Sequence, residues 1–130
     1  MDLSKTLSEL IVSRAQEYSG RPFDWDTFNC VHFVRSVYAD VGITFPILKR
    51  YELPPEEFHL SSEKFAEMPL GHSVFFKRKD KMTKRYWSHV ALVVAPDALM
   101  HCTRHLGSGV VLTPKSIFLE VYELSRFNFF

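Results

Sequence analysis

"FDWDTFNCVHFVRSVYADVG", residues 23–42, begins as a loop and ends as a helix, with a cysteine at the junction. Cys30, Phe33, Val34, Val37, Tyr38 and Val41 fall on one stripe at helical spacing, and Gly42 stops the run. His32, Arg35, Ser36 and Ala39 fall mostly on the opposite side. Residues 24–28 read as a short, turn-rich loop in which Asp26 and Thr27 are turn or capping residues. Cys30 therefore has two readings. It opens an apolar stripe, as a small core residue does. It also stands in the first turn of a helix, where backbone N–H groups and the helix dipole favour a thiolate. Position alone favours the core residue, so a nucleophile needs support from partners elsewhere in the chain.

Upstream, Leu3, Leu7, Leu10, Ile11 and Ala15 recur at helical spacing and predict a helix over residues 3–18, ended by Ser19, Gly20 and Pro22. Downstream, residues 45–58 carry three prolines and read as irregular. Residues 62–67 suit a short helix capped by Ser61 or Ser62. Five β-type segments follow, at 73–77, 86–94, 98–103, 109–112 and 119–124. Pro96-Asp97 and Leu106-Gly107-Ser108-Gly109 supply turns between them. Helices first and an antiparallel meander after them define an α+β domain, read as a single domain over residues 1–130.

Composition narrows the function classes. A chain of 130 residues is about one domain and can bury one real core. Its net charge of +1 gives no electrostatic case for nucleic acid or an anionic membrane. The one basic cluster, Lys77-Arg78-Lys79-Asp80-Lys81 with Lys84-Arg85 after it, reads as a solvated hairpin tip. No apolar run approaches the ~20 residues of a membrane span, so stable membrane insertion is not expected. The first residues lack the charged-then-apolar order of a signal peptide, so synthesis in a cytoplasm is expected, with any export by another route. The two cysteines form neither a disulfide framework nor a C-x-x-C, and no Cys/His grouping has zinc spacing. No metal or organic cofactor is expected.

The partners of Cys30 lie in "YWSHVALVVAPDALMHC", residues 86–102. Strand alternation puts His89, Ala91 and Val93 on one face. In the next strand it puts Leu99, His101 and Thr103 on one face and Met100 and Cys102 on the other. With a loop at Ala95-Pro96-Asp97, Ala91 stands opposite His101 and His89 becomes the diagonal neighbour of His101, ~7–8 Å between backbones. Two imidazoles reach across that distance. A helix start bearing Cys30, packed on the same face, then completes a nucleophile, a base and a group that orients the base. Cys102, mid-strand and off the histidine face, reads as a small buried residue. His32, His59, His72 and His105 read as surface or loop residues.

These residues together resemble the NlpC/P60 peptidases, a family with a compact papain-like fold. In that family a "DC-S-G-F" stretch starts the nucleophile helix, "G-D-L-V-F-F" opens the sheet, "H-V-G-I-Y" brings the base and "I-H-A" brings a third polar residue. The counterparts here are "NCVHFV" at 29–34, "GHSVFF" at 71–76, "HVALVV" at 89–94 and "MHC" at 100–102. "GRPFDWDTFNC" and "GVVLTP" look especially like the members found in phage tail modules. The resemblance implies N-terminal helices packed on an antiparallel sheet of five to six strands. It implies Cys30 as nucleophile, His89 as general base and His101 as the residue that orients His89. It implies thiol-dependent hydrolysis of an amide bond in peptidoglycan stem peptides, with a phage-tail or secretion-machinery partner. The oxyanion and substrate groove falls to Phe23, Asn29, Val31 and Ser88, with the Cys30 N–H as chief oxyanion donor. Departures stand beside it. Asn29 replaces the usual Asp, Val31-His32 replaces Ser-Gly, His72 replaces the Asp of "GD", and Phe23 lacks the hydroxyl of the family's upstream Tyr. Two other functions fit the same residues. One is a non-catalytic tail or assembly module on this fold. The other is lipid acyl transfer, since "NCVHF" is similar to the "NCEHF" of lecithin:retinol acyltransferase-like proteins. In those circularly permuted relatives the His strand precedes the Cys helix; here Cys30 comes first.

Overall fold

The computed structural model describes residues 6–45, 61–79 and 87–129. Four helices, α1 (Leu7–Glu17), α2 (Cys30–Asp40), α3 (Ser62–Ala66) and α4 (Lys115–Val121), combine with five strands. The strands are β1 (Ser73–Arg78), β2 (His89–Ala95), β3 (Ala98–Thr103), β4 (Gly109–Pro114) and β5 (Tyr122–Phe129). They form one antiparallel sheet in the order β4-β3-β2-β1-β5. The α+β architecture with helices on an antiparallel sheet is the one expected.

Local chemistry sets the helix starts. Thr6 caps α1 by accepting from the Glu9 N–H, and Ser61 caps α3 by accepting from the Lys64 N–H. At α2 the Asn29 side chain accepts from the N–H groups of Val31 and His32, at 3.0 and 3.2 Å. His32 Nδ1 in return accepts from the Asn29 N–H at 3.1 Å, which makes a capping box with histidine in the place usually held by Glu or Gln. His32 is thus a half-buried cap residue, a correction to its surface reading.

Alternation along the strands divides the core in two. One face carries Phe75, Val90, Leu92, Met100, Cys102 and Val110 and packs against α1 and α2. The other carries Val74, Phe76, Ala91, Val93 and Leu99 and packs against Phe65, Phe118 and Tyr122. Each large side chain so buried contributes about 1.5–3 kcal/mol of transfer free energy. On α1 only Ile11 and Ala15 are fully buried; Leu7 and Leu10 from the same expected stripe are 42% and 40% exposed.

The segment 119–124 is not a single strand. Pro114 ends β4, since it has no N–H to extend the ladder, and the Lys115 N–H turns back to the Asp97 carbonyl at 2.8 Å. The chain then makes the two turns of α4, burying Lys115 and Phe118, and enters β5 at Tyr122. Buried positions at 115, 118 and 122 follow a helical interval, which short alternation cannot show. The irregular stretch expected at 45–58 lies, after Phe45, outside the described residues, as do residues 80–86 of the expected hairpin tip.

The loop between α1 and α2 is tied to β4. The Gly20 N–H donates to the Val110 carbonyl and the Val110 N–H to the Arg21 carbonyl, both at 2.9 Å. Gly109 sits beside this seam at φ +89°, and a Cβ there would lie 2.2 Å from the Arg21 carbonyl oxygen. Only glycine accommodates both conditions.

Candidate active site

β2 and β3 pair with Leu92 across from Met100 and Val93 across from Leu99. Continuing that register sets Ala91 opposite His101 and His89 on the diagonal. A bulge between Val93 and Ala95 absorbs the odd residue before the Pro96-Asp97 turn. The diagonal becomes a contact: His89 Nε2 lies 2.7 Å from His101 Nδ1. On the far side of His101, Nε2 lies 2.9 Å from Thr113 Oγ1 on β4. The hydrogen-bonded series His89–His101–Thr113 crosses three adjacent strands at a sequence interval of twelve.

The second core holds these rings in place. His89 stacks on Tyr122 with centroids 4.8 Å apart and planes 13° from parallel. His101 meets the Phe118 ring edge-on at 4.8 Å. His101 is fully buried, and burial pushes its pKa down to about 3. It is therefore neutral at neutral pH and offers one donor nitrogen and one acceptor nitrogen.

This burial has a measurable consequence. His101 in the unfolded chain binds a proton near pH 6.5, and in the folded protein only near 3. Because the folded pKa is depressed, the stability linked to His101 is complete above about pH 6.5 and is lost as pH falls towards 3. The expected extra slope approaches ~1.4 kcal/mol per pH unit in that window. Urea unfolding of the wild type and His101→Gln at pH 7, 6, 5 and 4 reads it directly. Parallel curves for the two proteins contradict the burial of a neutral imidazole.

Cys30 does not approach the histidines across their own sheet face. Helix α2 packs on the opposite face, with Cys30 in the core that holds Cys102 and Leu92. Cys30 and His89 reach one cleft because each is the first residue of its element, so both stand at one end of the sheet. There they line a small cleft with Phe23, Ser88, Cys102 and Tyr122. The cleft leaves about 20 Å³ for water centres, room for roughly one water.

Of the four residues expected to line the groove, Phe23 and Ser88 do. Asn29 is buried as the helix cap and Val31 is buried in the first core. Cys102 is buried, with Sγ donating to the Phe28 carbonyl at 3.4 Å, and burial raises its thiol pKa to about 12. His72 is half-buried away from the cleft.

The rim contains residues that periodicity could not single out. Arg104 places its guanidinium over the rings of Phe23 and Trp25, at 5.6 and 5.2 Å from their centroids. Arg78 Nη1 lies 3.2 Å from His105 Nε2, and both residues border the cleft. Arg78 is thus part of the site, whereas the sequence reading placed it in a solvated tip, and His105 is a rim residue on its loop. Tyr122, Phe118 and Thr113 were missed as well. The repeated interval of twelve was the signal that pointed to Thr113. Among the described residues, no group of three or more His, Cys, Asp or Glu could hold a metal ion. No helix among them is long and apolar enough to cross a membrane.

No protein-family model and no curated protein matches the sequence. Solved structures do match. An NlpC/P60 family protein from Bacillus cereus ATCC 10987 superposes with a TM-score of 0.71 at 21% identity, over 94% of this chain and 40% of its own. A protein from Staphylococcus aureus subsp. aureus Mu50, described as similar to lipoprotein of the NLP/P60 family, gives 0.69 at 21% identity, over 97% of this chain and 44% of its own. The NlpC/p60 domain of the peptidoglycan hydrolase SagA gives 0.68 at 19% identity, over 92% of this chain and 99% of that domain. The chain thus spans less than half the length of the first two proteins and nearly all of the third. At these identities the likeness establishes the fold.

Proposed function

We propose that this chain, which carries the NlpC/P60 fold, is a thiol hydrolase that cleaves an amide bond in peptidoglycan stem peptides. One observation carries the reading: Cys30, at the start of α2, and His89 share a cleft, and the Nε2 of His89 is bound to a buried neutral imidazole. With Nε2 directed at His101, Nδ1 acts as the base. It takes the Cys30 proton, and the sulfur attacks the scissile carbonyl carbon. The developing oxyanion is met by the Cys30 N–H in the first turn of α2. The tetrahedral adduct collapses as His89 returns the proton to the leaving amine, which leaves an acyl group on Cys30. Water, activated by the same Nδ1, then attacks that thioester and releases the acid. His101 accepts from His89 Nε2–H throughout and steadies the imidazolium.

The cleft rim supports the substrate class. Its charged members are Arg78 and Arg104, with no carboxylate among the lining residues, which suits a peptide bearing carboxylates. The peptidoglycan hydrolase among the structures of this fold adds weight. The test is incubation with purified peptidoglycan and soluble muropeptides, followed by mass spectrometry. New amine and acid termini within the stem peptide are expected, and alkylation of Cys30 abolishes them. If Cys30 resists alkylation in the folded protein and no cleavage occurs, the domain is an assembly module. If an activated acyl ester labels Cys30 while peptides stay intact, it is an acyltransferase.

A further inference from the structure

We propose that Thr113 is a positioning residue of this site: its hydroxyl oxygen accepts the Nε2–H of His101 and so fixes which nitrogen of His101 carries the proton. The inference rests on the thiol-hydrolase reading for its effect on rate, and on the geometry of three side chains for its structural content.

A neutral imidazole carries one N–H, so the two contacts of His101 have linked polarity. In one arrangement His101 holds its proton on Nε2 and gives it to Thr113. Its Nδ1 lone pair then accepts from His89 Nε2–H, and His89 Nδ1 is bare and basic. In the other, Thr113 donates to His101 Nε2, His101 donates from Nδ1 to His89 Nε2, and the single proton of His89 sits on Nδ1. His89 in that form has no lone pair for the Cys30 proton. Only the first arrangement permits the base, and it also gives the imidazolium that forms a lone pair to donate to. Thr113 is suited to hold it. It is 4% exposed, it lies on the same sheet face as His101, and β4 pairs with β3 over six residue pairs. The rings of Phe118 and His89, which meet His101 at 4.8 and 4.9 Å between centroids, offer Nε2 no oxygen or nitrogen acceptor in place of Thr113.

The experiment is a long-range ¹H–¹⁵N correlation spectrum of histidine-labelled protein at pH 7, for the wild type, Thr113→Val and Thr113→Ser, with turnover of the same samples. The wild type and Thr113→Ser are expected to show His101 as the Nε2–H tautomer. Thr113→Val, which keeps the shape and loses the acceptor, is expected to shift His101 towards Nδ1–H. It also lowers kcat about tenfold at unchanged KM, while Thr113→Ser stays within about twofold of the wild type. A wild-type His101 in the Nδ1–H form overturns the proposal, and so does a valine variant with wild-type tautomer and rate. The spectrum needs no substrate. A protein inert on every peptide whose His101 nevertheless changes tautomer with Thr113→Val defeats the hydrolase reading and upholds the role of Thr113.

Discussion

Cys30→Ala abolishes peptide cleavage and leaves the fold in place. The substitution removes one sulfur atom from the first turn of α2, where the backbone is held by the Asn29–His32 capping box. Alanine is the best helix former, so the lost burial of the thiol is the main cost, about 1 kcal/mol. Turnover, by contrast, loses its covalent route and falls by at least about 10⁴-fold. Cys102 cannot stand in, although it borders the same cleft. Its thiol is pushed up to about 12 by burial and is committed to the Phe28 carbonyl. Product release by mass spectrometry, beside circular dichroism and a urea midpoint, separates the two effects. Retained activity in a folded variant would sink the covalent mechanism.

Phe118→Ala has the largest expected effect on stability. Phe118 is fully buried on a seven-residue helix, and its ring lies 4.3 Å from Phe76, 4.7 Å from Tyr122 and 4.8 Å from His101 by centroids. Truncation removes the hub of the second core and leaves a cavity that side chains fixed on β1 and β5 cannot fill, at a cost of about 3–5 kcal/mol. That is a large share of the stability of a domain of this size. It also frees the His101 ring to tilt, so kcat should fall in whatever fraction remains folded. Urea unfolding at pH 7 measures the first effect, and single-turnover kinetics below the unfolding midpoint measures the second. A loss under about 1 kcal/mol contradicts the packing described for α4.

The parts of this molecule that were legible in the sequence are those governed by a local repeat. The stripe from Cys30 to Val41 marks α2, and alternation in β2 and β3, with a proline turn between them, brings His89 and His101 to one face. What escaped was set by contacts between segments far apart in sequence. α4 is too short to show periodicity and follows directly on β4, so Leu119 to Leu124 read as strand. Arg78, Arg104, Trp25 and His105 reach the rim from a strand end and two loops, whose positions follow from tertiary packing. The placement of Cys30 is the instructive case. Alternation assigned the histidines to one face and suggested that the helix packs there, whereas α2 packs on the other. The approach is made around the end of the sheet, a geometry that face assignments cannot express. Asn29 and Val31 were assigned to the groove by analogy of position; in the fold Asn29 also caps the helix start and Val31 also packs in the first core.

The seam between the α1–α2 loop and β4 also bears on solubility. β4 is an outer strand of the sheet, and an outer strand with open amide groups is a template for another chain. The backbone of Val110 points outward and is already paired with Gly20 and Arg21. Alternation puts Leu112 and Pro114 on the same outward side, and proline has no N–H to offer. Leu112, 62% exposed, is flanked by a sealed position and a mute one, too short a stretch to recruit a partner strand. The strand that carries Thr113 is thereby closed to edge-to-edge aggregation by its own loop, and Gly109 is what lets that loop come close enough to close it.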